Sequence, residues 1–237
     1  MSKVYLIPCV IDEQSFQTIP AYITDAVKDC HVFFVENERS ARRYLKQLWK
    51  FYLPEENILI DDYEWFVIHH AEENVRSVFI QKIKDGKNIG IISEAGSPGI
   101  ADPGQLLVRA AQEMNIEIKP LVGPSSILLA LMASGMNGQQ FQFIGYLPID
   151  NRQRLKVIRE LEAESKKKKC TQLFIETPYR NNQLIEAFLK TCQPATQLCL
   201  AVDISGEKEW IKTKSIAEWK KAIPDINKRP CIFCLLA

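Results

Sequence analysis

Apolar residues fall along this chain in short unbroken runs, separated by stretches whose apolar positions recur every three or four residues. "KVYLIPCV", "HVFFVE", "NILIDD", "NIGIIS" and "IEIKPLV" predict five strands in the first half. "IPAYITDAVKDC", "SARRYLKQLWKFY", "EENVRSVFIQKIKDG" and "QLLVRAAQEMN" predict the helices between them, with Ser40 as the N-cap of the second. Strands that are apolar throughout and alternate with amphipathic helices indicate a mostly parallel sheet covered on both faces. The first half therefore reads as an α/β domain.

After "VGPSS" the pattern changes. "SSILLALMASG" is an almost wholly apolar helix, expected to be buried. "FQFIGYLP", "CTQLFIET", "QLCLAVDIS" and "RPCIFCLLA" read as strands, and "NRQRLKVIRELEAESKKKK", "NNQLIEAFLKTC" and "IAEWKKAI" as helices. A boundary near residues 119–123 divides the chain into an N-terminal α/β domain, 1–120, and a C-terminal one, 121–237.

Composition narrows the partners. Lys and Arg number 30 against 29 acids, which rules out a globally basic nucleic-acid binder but not a local basic patch. No apolar run reaches the roughly 18–20 residues of a membrane span, and the N-terminus has too short an apolar core for a signal peptide. Seven scattered cysteines suit a reduced, cytoplasmic setting. Cys231 and Cys234 resemble a metal pair, but positions three apart on a strand point to opposite faces, so both read as core and no metal site is expected.

Three turns carry candidate chemistry. "IISEAGSPGIADPG", residues 91–104, joins a strand to a helix with three glycines, two prolines and two acids. Gly96 and Gly99 can take positive φ and admit a ligand to the backbone, Pro98 and Pro103 stiffen the loop, and Asp102 is placed to cap the next helix. The turn lacks the Gly-Lys-Ser/Thr ending of a P-loop and the Gly-x-Gly-x-x-Gly spacing of dinucleotide binders. "VGPSSI" enters the apolar helix, where Ser125 or Ser126 serves as an N-cap or, with the free N–H groups of the helix start, binds a ligand. No histidine lies nearby in sequence, which argues against a serine hydrolase. In "FIETPYRNN" a strand ends at Glu176 and Thr177. Either Thr177 or Asn181 caps the following helix while Arg180 is solvated, or the strand-end carboxylate and hydroxyl face a cleft.

In this order and spacing the three turns resemble the tetrapyrrole (corrin/porphyrin) methylase superfamily, and within it the ribosomal RNA small subunit methyltransferase I branch. "SEAGSPGIADPG" is similar to that branch's Ser-Asp-Ala-Gly-Thr-Pro-Gly-Ile-Ser-Asp-Pro-Gly, and "LVGPSSILLALMASGM" to its Gly-Pro-Ser turn and helix. "FQFIGYLP" and "FIETPYR" resemble its Phe-x-Phe-x-Gly-Phe-Leu-Pro and Tyr-Glu-Ala-Pro-His-Arg segments. "VENERSARRYL" loosely resembles Ala-Glu-Asp-Thr-Arg-x-Thr-Arg-x-Leu. The resemblance implies two α/β domains with a ligand cleft between them, S-adenosylmethionine as methyl donor, and a homodimer. Carried over by position, Glu94, Ala95, Gly96, Ser97, Pro98 and Gly99 line the donor site with Ser125 and Ser126, and Glu176, Thr177 and Pro178 close it. The implied activity is methylation of small-subunit ribosomal RNA at a ribose 2′-O position. The alternatives are transfer to a tetrapyrrole or other small acceptor, or a catalytically inactive donor-binding module. Glu36 and Glu176 are the candidate bases, each also readable as a binding or capping residue. Arg39, Arg42 and Arg43 are candidate phosphate contacts, and "SKKKK" reads as a solvated helix end.

The departures from the branch fall elsewhere. "IPCVIDEQSF" stands where it has Thr-Pro-Ile-Gly-Asn-Leu, "DDYEWFVIHHAEEN" replaces its His- and Asn-bearing loop, and "AVDISGEKEW" replaces Ala-Arg-Glu-Leu-Thr-Lys. The donor half matches; the acceptor half is altered.

Overall fold

The computed structural model describes residues 2–68 and 73–237. The chain divides into two compact units, Met1–Ser125 and Ser126–Ala237.

In the first unit, strands β1 (Lys3–Ile7), β2 (Val32–Val35), β3 (Glu64–Val67), β4 (Ile89–Ile92) and β5 (Glu117–Pro120) form one parallel sheet in the order β3-β2-β4-β1-β5. Helices α1 (Ile23–Asp29), α2 (Glu38–Tyr52), α3 (Glu73–Lys84) and α4 (Gln105–Glu113) make the crossovers. Alternation along β2 sorts the core into two layers. Phe33 and Val35 pack with Ile23, Leu45 and Leu48 under α1 and α2, while Val32 and Phe34 pack with Phe79 and Leu107 under α3 and α4.

The third strand is not "NILIDD", as the apolar run suggests, but "EWFV" just beyond it. Ile60–Asp62 forms a single 3-10 turn, with Ile60 buried and its carbonyl accepting from Trp65 Nε1. Ile58 and Ile60 are apolar because they pack against the core beside the sheet, whereas Leu59 is exposed. Helix α2 begins two residues before Ser40: Asn37 is the N-cap, and its Oδ1 accepts from the N–H groups of Arg39 and Ser40. His69 and His70 lie outside the described residues.

In the second unit, β6 (Phe141–Tyr146), β7 (Thr171–Ile175), β8 (Gln197–Val202), β9 (Trp210–Ser215) and β10 (Cys231–Leu236) form a mixed sheet, ordered β6-β7-β10-β8-β9. Only the β6–β7 pair is parallel. Helix α5 (Ser126–Ser134) covers one face through Ala130 and Leu131; α6 (Asn151–Lys168), α7 (Asn181–Thr191) and α8 (Ile216–Trp219) cover the other. Leu128 and Met132 of α5 are exposed, so the helix is not buried all round. Cys231 and Cys234 sit in the cores on opposite faces of β10, and all seven cysteines are free and buried. Strand β9 is not foreseen by the apolar pattern: its Lys212 and Lys214 mask it as a charged loop, whereas lysines on an edge strand block further pairing. No helix among the described residues is long and apolar enough to cross a membrane.

Candidate functional site

The first sheet has one topological switch point. From β1 the chain crosses to β2 on one side, and from β4 it crosses to β5 on the other, while β1 and β4 lie side by side. Open α/β sheets bind ligands beyond the carboxyl ends of the strands at such a point. Here those ends lead into Cys9 and into residues 93–104. Cys9 N–H donates to the Gly96 carbonyl at 2.8 Å, and Gly96 N–H donates back to the Cys9 carbonyl at 3.1 Å. Gly96 adopts φ +68°, a left-handed conformation that side chains disfavour; it is buried, and a Cβ there would lie 3.5 Å from the carbonyl oxygen of Pro124. The "SEAGSPG" and "VGPSS" turns, with Ser125 half-buried at the end of the latter, are therefore neighbours around the end of β1.

Three carboxylates gather at this turn, Glu94 and Asp102 from within it and Glu36 from the end of β2. Glu36, just after β2, accepts the Glu94 N–H at 3.1 Å. Glu94 in turn accepts from Ser40 Oγ at 2.5 Å. Asp102 completes the group: burial, then the charges of Glu36 and Glu94, push its carboxyl up to about 6. Glu36 is raised too, chiefly by burial and by Glu94, against the lowering effect of the Glu94 N–H. The Cys9 thiol is held well above its ordinary value by burial and by the same three acids.

Asp102 is not a helix cap. Helix α4 starts at Gln105, and Gly104, at φ +119°, occupies the capping position without a side chain. Freed from that duty, Asp102 joins the acidic group. Ser40, read from sequence as a cap, instead ties α2 to the turn. Beside these groups lies a groove of about 220 Å³ whose walls include Cys9, Ser40, Arg43, Tyr44, Ser93 and Glu94.

In the second unit, Glu176 is buried at the end of β7, and its Oε1 collects hydrogen bonds. Arg180 donates through Nε at 3.0 Å and Nη2 at 2.6 Å, and Thr177 through its N–H at 2.7 Å. Arg180 is thus an ion-pair partner rather than a solvated side chain. Neither Thr177 nor Asn181 caps α7. Thr177 makes no capping bond, and Asn181 is buried, donating to the carbonyls of Ile226 and Arg229. Ser126 is the first residue of α5.

Comparison with known proteins bears on the family. The model of the Tetrapyrrole (Corrin/Porphyrin) Methylases matches residues 20–219. The chain is 31% identical over 168 residues to the ribosomal RNA small subunit methyltransferase I of Escherichia coli O157:H7, covering 69% of this chain and 57% of that protein. It is 30% identical over 220 residues to the protein of the same description from Buchnera aphidicola subsp. Schizaphis graminum, covering 92% of this chain and 72% of that one. The chain thus spans little more than half the length of the first relative. A crystal structure of uroporphyrin-III C-methyltransferase from Thermus thermophilus, complexed with S-adenosylhomocysteine, shares the fold at TM-score 0.56 and 13% identity, over 99% of this chain and 97% of that one.

Proposed function

We propose that this chain, which belongs to the tetrapyrrole (corrin/porphyrin) methylase family, is an S-adenosylmethionine-dependent methyltransferase that modifies small-subunit ribosomal RNA at a ribose 2′-O position. The similarity to the small subunit methyltransferase I proteins supports the acceptor class. The observation that carries the donor is the meeting of Glu36, Glu94 and Asp102 around a fixed turn at the switch point. S-adenosylmethionine bears a sulfonium and an ammonium, and carboxylates in a partly buried setting attract such cations more strongly than they would in bulk water. In this reading the donor contacts are Glu94, Ala95, Gly96, Ser97, Pro98, Gly99 and Ser125 of the first unit, with Ser126, Glu176, Thr177 and Pro178 of the second.

The transfer is an in-line displacement. The ribose oxygen forms a bond to the methyl carbon, the carbon–sulfur bond breaks, and its electron pair returns to sulfur. The hydroxyl proton must leave, and Glu36, raised by its setting, is the acceptor in this reading. Glu176 is already engaged by Arg180, so its role is to hold the turn at residues 176–178. Once the methyl has gone the sulfur is neutral, and the acidic group holds the product less tightly than the donor. Holding the reactants in line supplies most of the remaining acceleration.

A homodimer in a reducing cytoplasm completes the proposal. The free cysteines support the compartment, and the exposed Leu128 and Met132 support assembly. Calorimetry with S-adenosylmethionine and S-adenosylhomocysteine tests the donor. Labelled-methyl transfer to undermethylated small ribosomal subunits, followed by nucleoside mass analysis, tests the acceptor. A 2′-O-methyl nucleoside is expected. Donor binding with transfer to a tetrapyrrole alone would reassign the substrate, and no binding would end the proposal.

A further inference from the structure

The buried stripe of α2 is Ala41, Tyr44, Leu45, Leu48 and Trp49. Its opposite side carries Arg39, Arg43, Lys46 and Lys50, all exposed. Spacings of four, three and four residues place these four on one line of the helix surface, about 16 Å long at 1.5 Å per residue. The helix holds five basic residues and one acid, Glu38, in a chain whose formal charge is only +1, so the positive potential is local.

The cations on this helix are not equivalent. Arg42 stands apart: it pairs with Glu38 and Asp61 and lies over the Trp65 ring. Arg43 pairs with Glu13, but both side chains are more than half exposed, and such a pair is worth little and exchanges readily. Among the described residues, no carboxylate pairs with Arg39, Lys46 or Lys50. A regular row of charges, three unpaired and the fourth only in an exposed pair, is not needed to hold α2, which its apolar stripe already holds.

The row also leads somewhere. Arg43 and Gln47 belong both to this exposed face and to the wall of the groove beside Cys9, Ser93 and Glu94. Ser40, one residue after Arg39, is bonded to Glu94. A polyanion lying along the row would have its next segment delivered to the acidic turn. Because the turn itself is acidic, it repels phosphates and leaves the row as the place where they settle.

We propose that Arg39, Arg43, Lys46 and Lys50 form the landing strip for the phosphate backbone of the RNA acceptor, guiding one nucleotide into the groove at Glu94. The inference rests on the RNA methyltransferase reading and adds the surface by which that substrate is held. Phosphate-directed cations of this kind fix position without reading sequence, and their grip is strongly salt-dependent.

The test uses the triple variant R39Q/K46Q/K50Q, which leaves the groove lining intact, and K166Q/K167Q, which removes exposed charge at the end of α6, as the control. Binding of a short single-stranded RNA and of small ribosomal subunits is followed by fluorescence anisotropy across a salt series. Each phosphate on a single strand that is no longer neutralised lowers the slope of log K against log salt by about 0.7, so the triple variant should fall by about 2 and the control not at all. KM for subunits should rise about tenfold, with donor affinity by calorimetry unchanged. Equal slopes in wild type and triple variant, with subunits still methylated, overturn the landing strip alone. Equal falls in triple variant and control reduce it to general charge and also overturn it. Tighter binding to vesicles of anionic phosphatidylglycerol than to RNA, abolished in the triple variant, reassigns the row to a membrane surface. A wild-type protein that binds donor but neither binds nor methylates RNA removes the acceptor reading, and this inference falls with it.

Discussion

Ser40 Oγ donates a 2.5 Å hydrogen bond to Glu94 Oε1, fastening the first turn of α2 to the glycine-bearing turn after β4. Glu94 N–H donates to Glu36 in turn, so one residue is tied to both ends of the short segment from Glu36 to Ser40, 58 and 54 residues away in sequence. Removing the charge should separate donor from product. Glu94→Gln is expected to weaken S-adenosylmethionine about tenfold, or ~1.4 kcal/mol, and S-adenosylhomocysteine less. Calorimetry of both ligands checks it; equal losses for the two would mean that charge is not what Glu94 contributes. Ser40→Ala should cost about 1 kcal/mol of stability by removing the hydrogen bond.

Asp102 makes stability depend on pH. Its carboxyl is raised to about 6 by burial and by Glu36 and Glu94, so between the ordinary value near 4 and about 6 the folded chain holds a proton that the unfolded chain has released. Its contribution is full below that window and is lost as pH rises through it. Asp102→Asn, which cannot ionise, should gain about 1 kcal/mol over wild type across the window, solvent screening having reduced the full effect. Thermal melts from pH 4 to pH 8 should show the difference opening across the window and level above about pH 6. Parallel curves would contradict the raised value.

Gly123 is fixed by a neighbour. A Cβ there would lie 2.2 Å from Pro8 Cβ, whereas one at Gly138 would meet nothing within 4 Å. Gly123→Ala should therefore cost about 2–3 kcal/mol in urea denaturation, while Gly138→Ala should be close to neutral. Similar midpoints for the two variants would remove the close approach of the "VGPSS" turn to the end of β1.

Arg180 neutralises a carboxylate whose side chain is 1% exposed. Arg180→Ala leaves that charge buried, with Thr177 still donating, and should cost about 3 kcal/mol. The double variant Arg180→Ala with Glu176→Gln should recover much of the loss. A double variant no more stable than the single would show that packing, not charge, is what Arg180 supplies.

The sequence discloses most of the frame because its strands are apolar on both faces, and Phe33 and Phe34 have to be buried on opposite sides of one sheet. It also locates the turn at residues 94–99, since glycines there are demanded by the backbone. Other features depend on partners distant in sequence. "NILIDD" and "EWFV" are both apolar enough for a strand, and only pairing with β2 chooses between them. Asp102 precedes a helix, as a cap would, but Gly104 takes that position. Glu94 and Asp102 stand on one turn in the sequence, but nothing in the spacing reveals that Glu36 joins them. The order of strands in the sheet brings them together.

The middle strand of the second sheet, β10, is also the last of its strands to leave the ribosome. Until it is made, β7 and β8 have no partner between them, and the aromatic faces of Phe174 and Phe188 that Phe233 will cover remain open. The first unit has all its strands by residue 120 and is free to fold while synthesis continues. A nascent chain halted before residue 231 would therefore pair a finished first unit with an adhesive, half-built companion, an obvious target for chaperones and proteases.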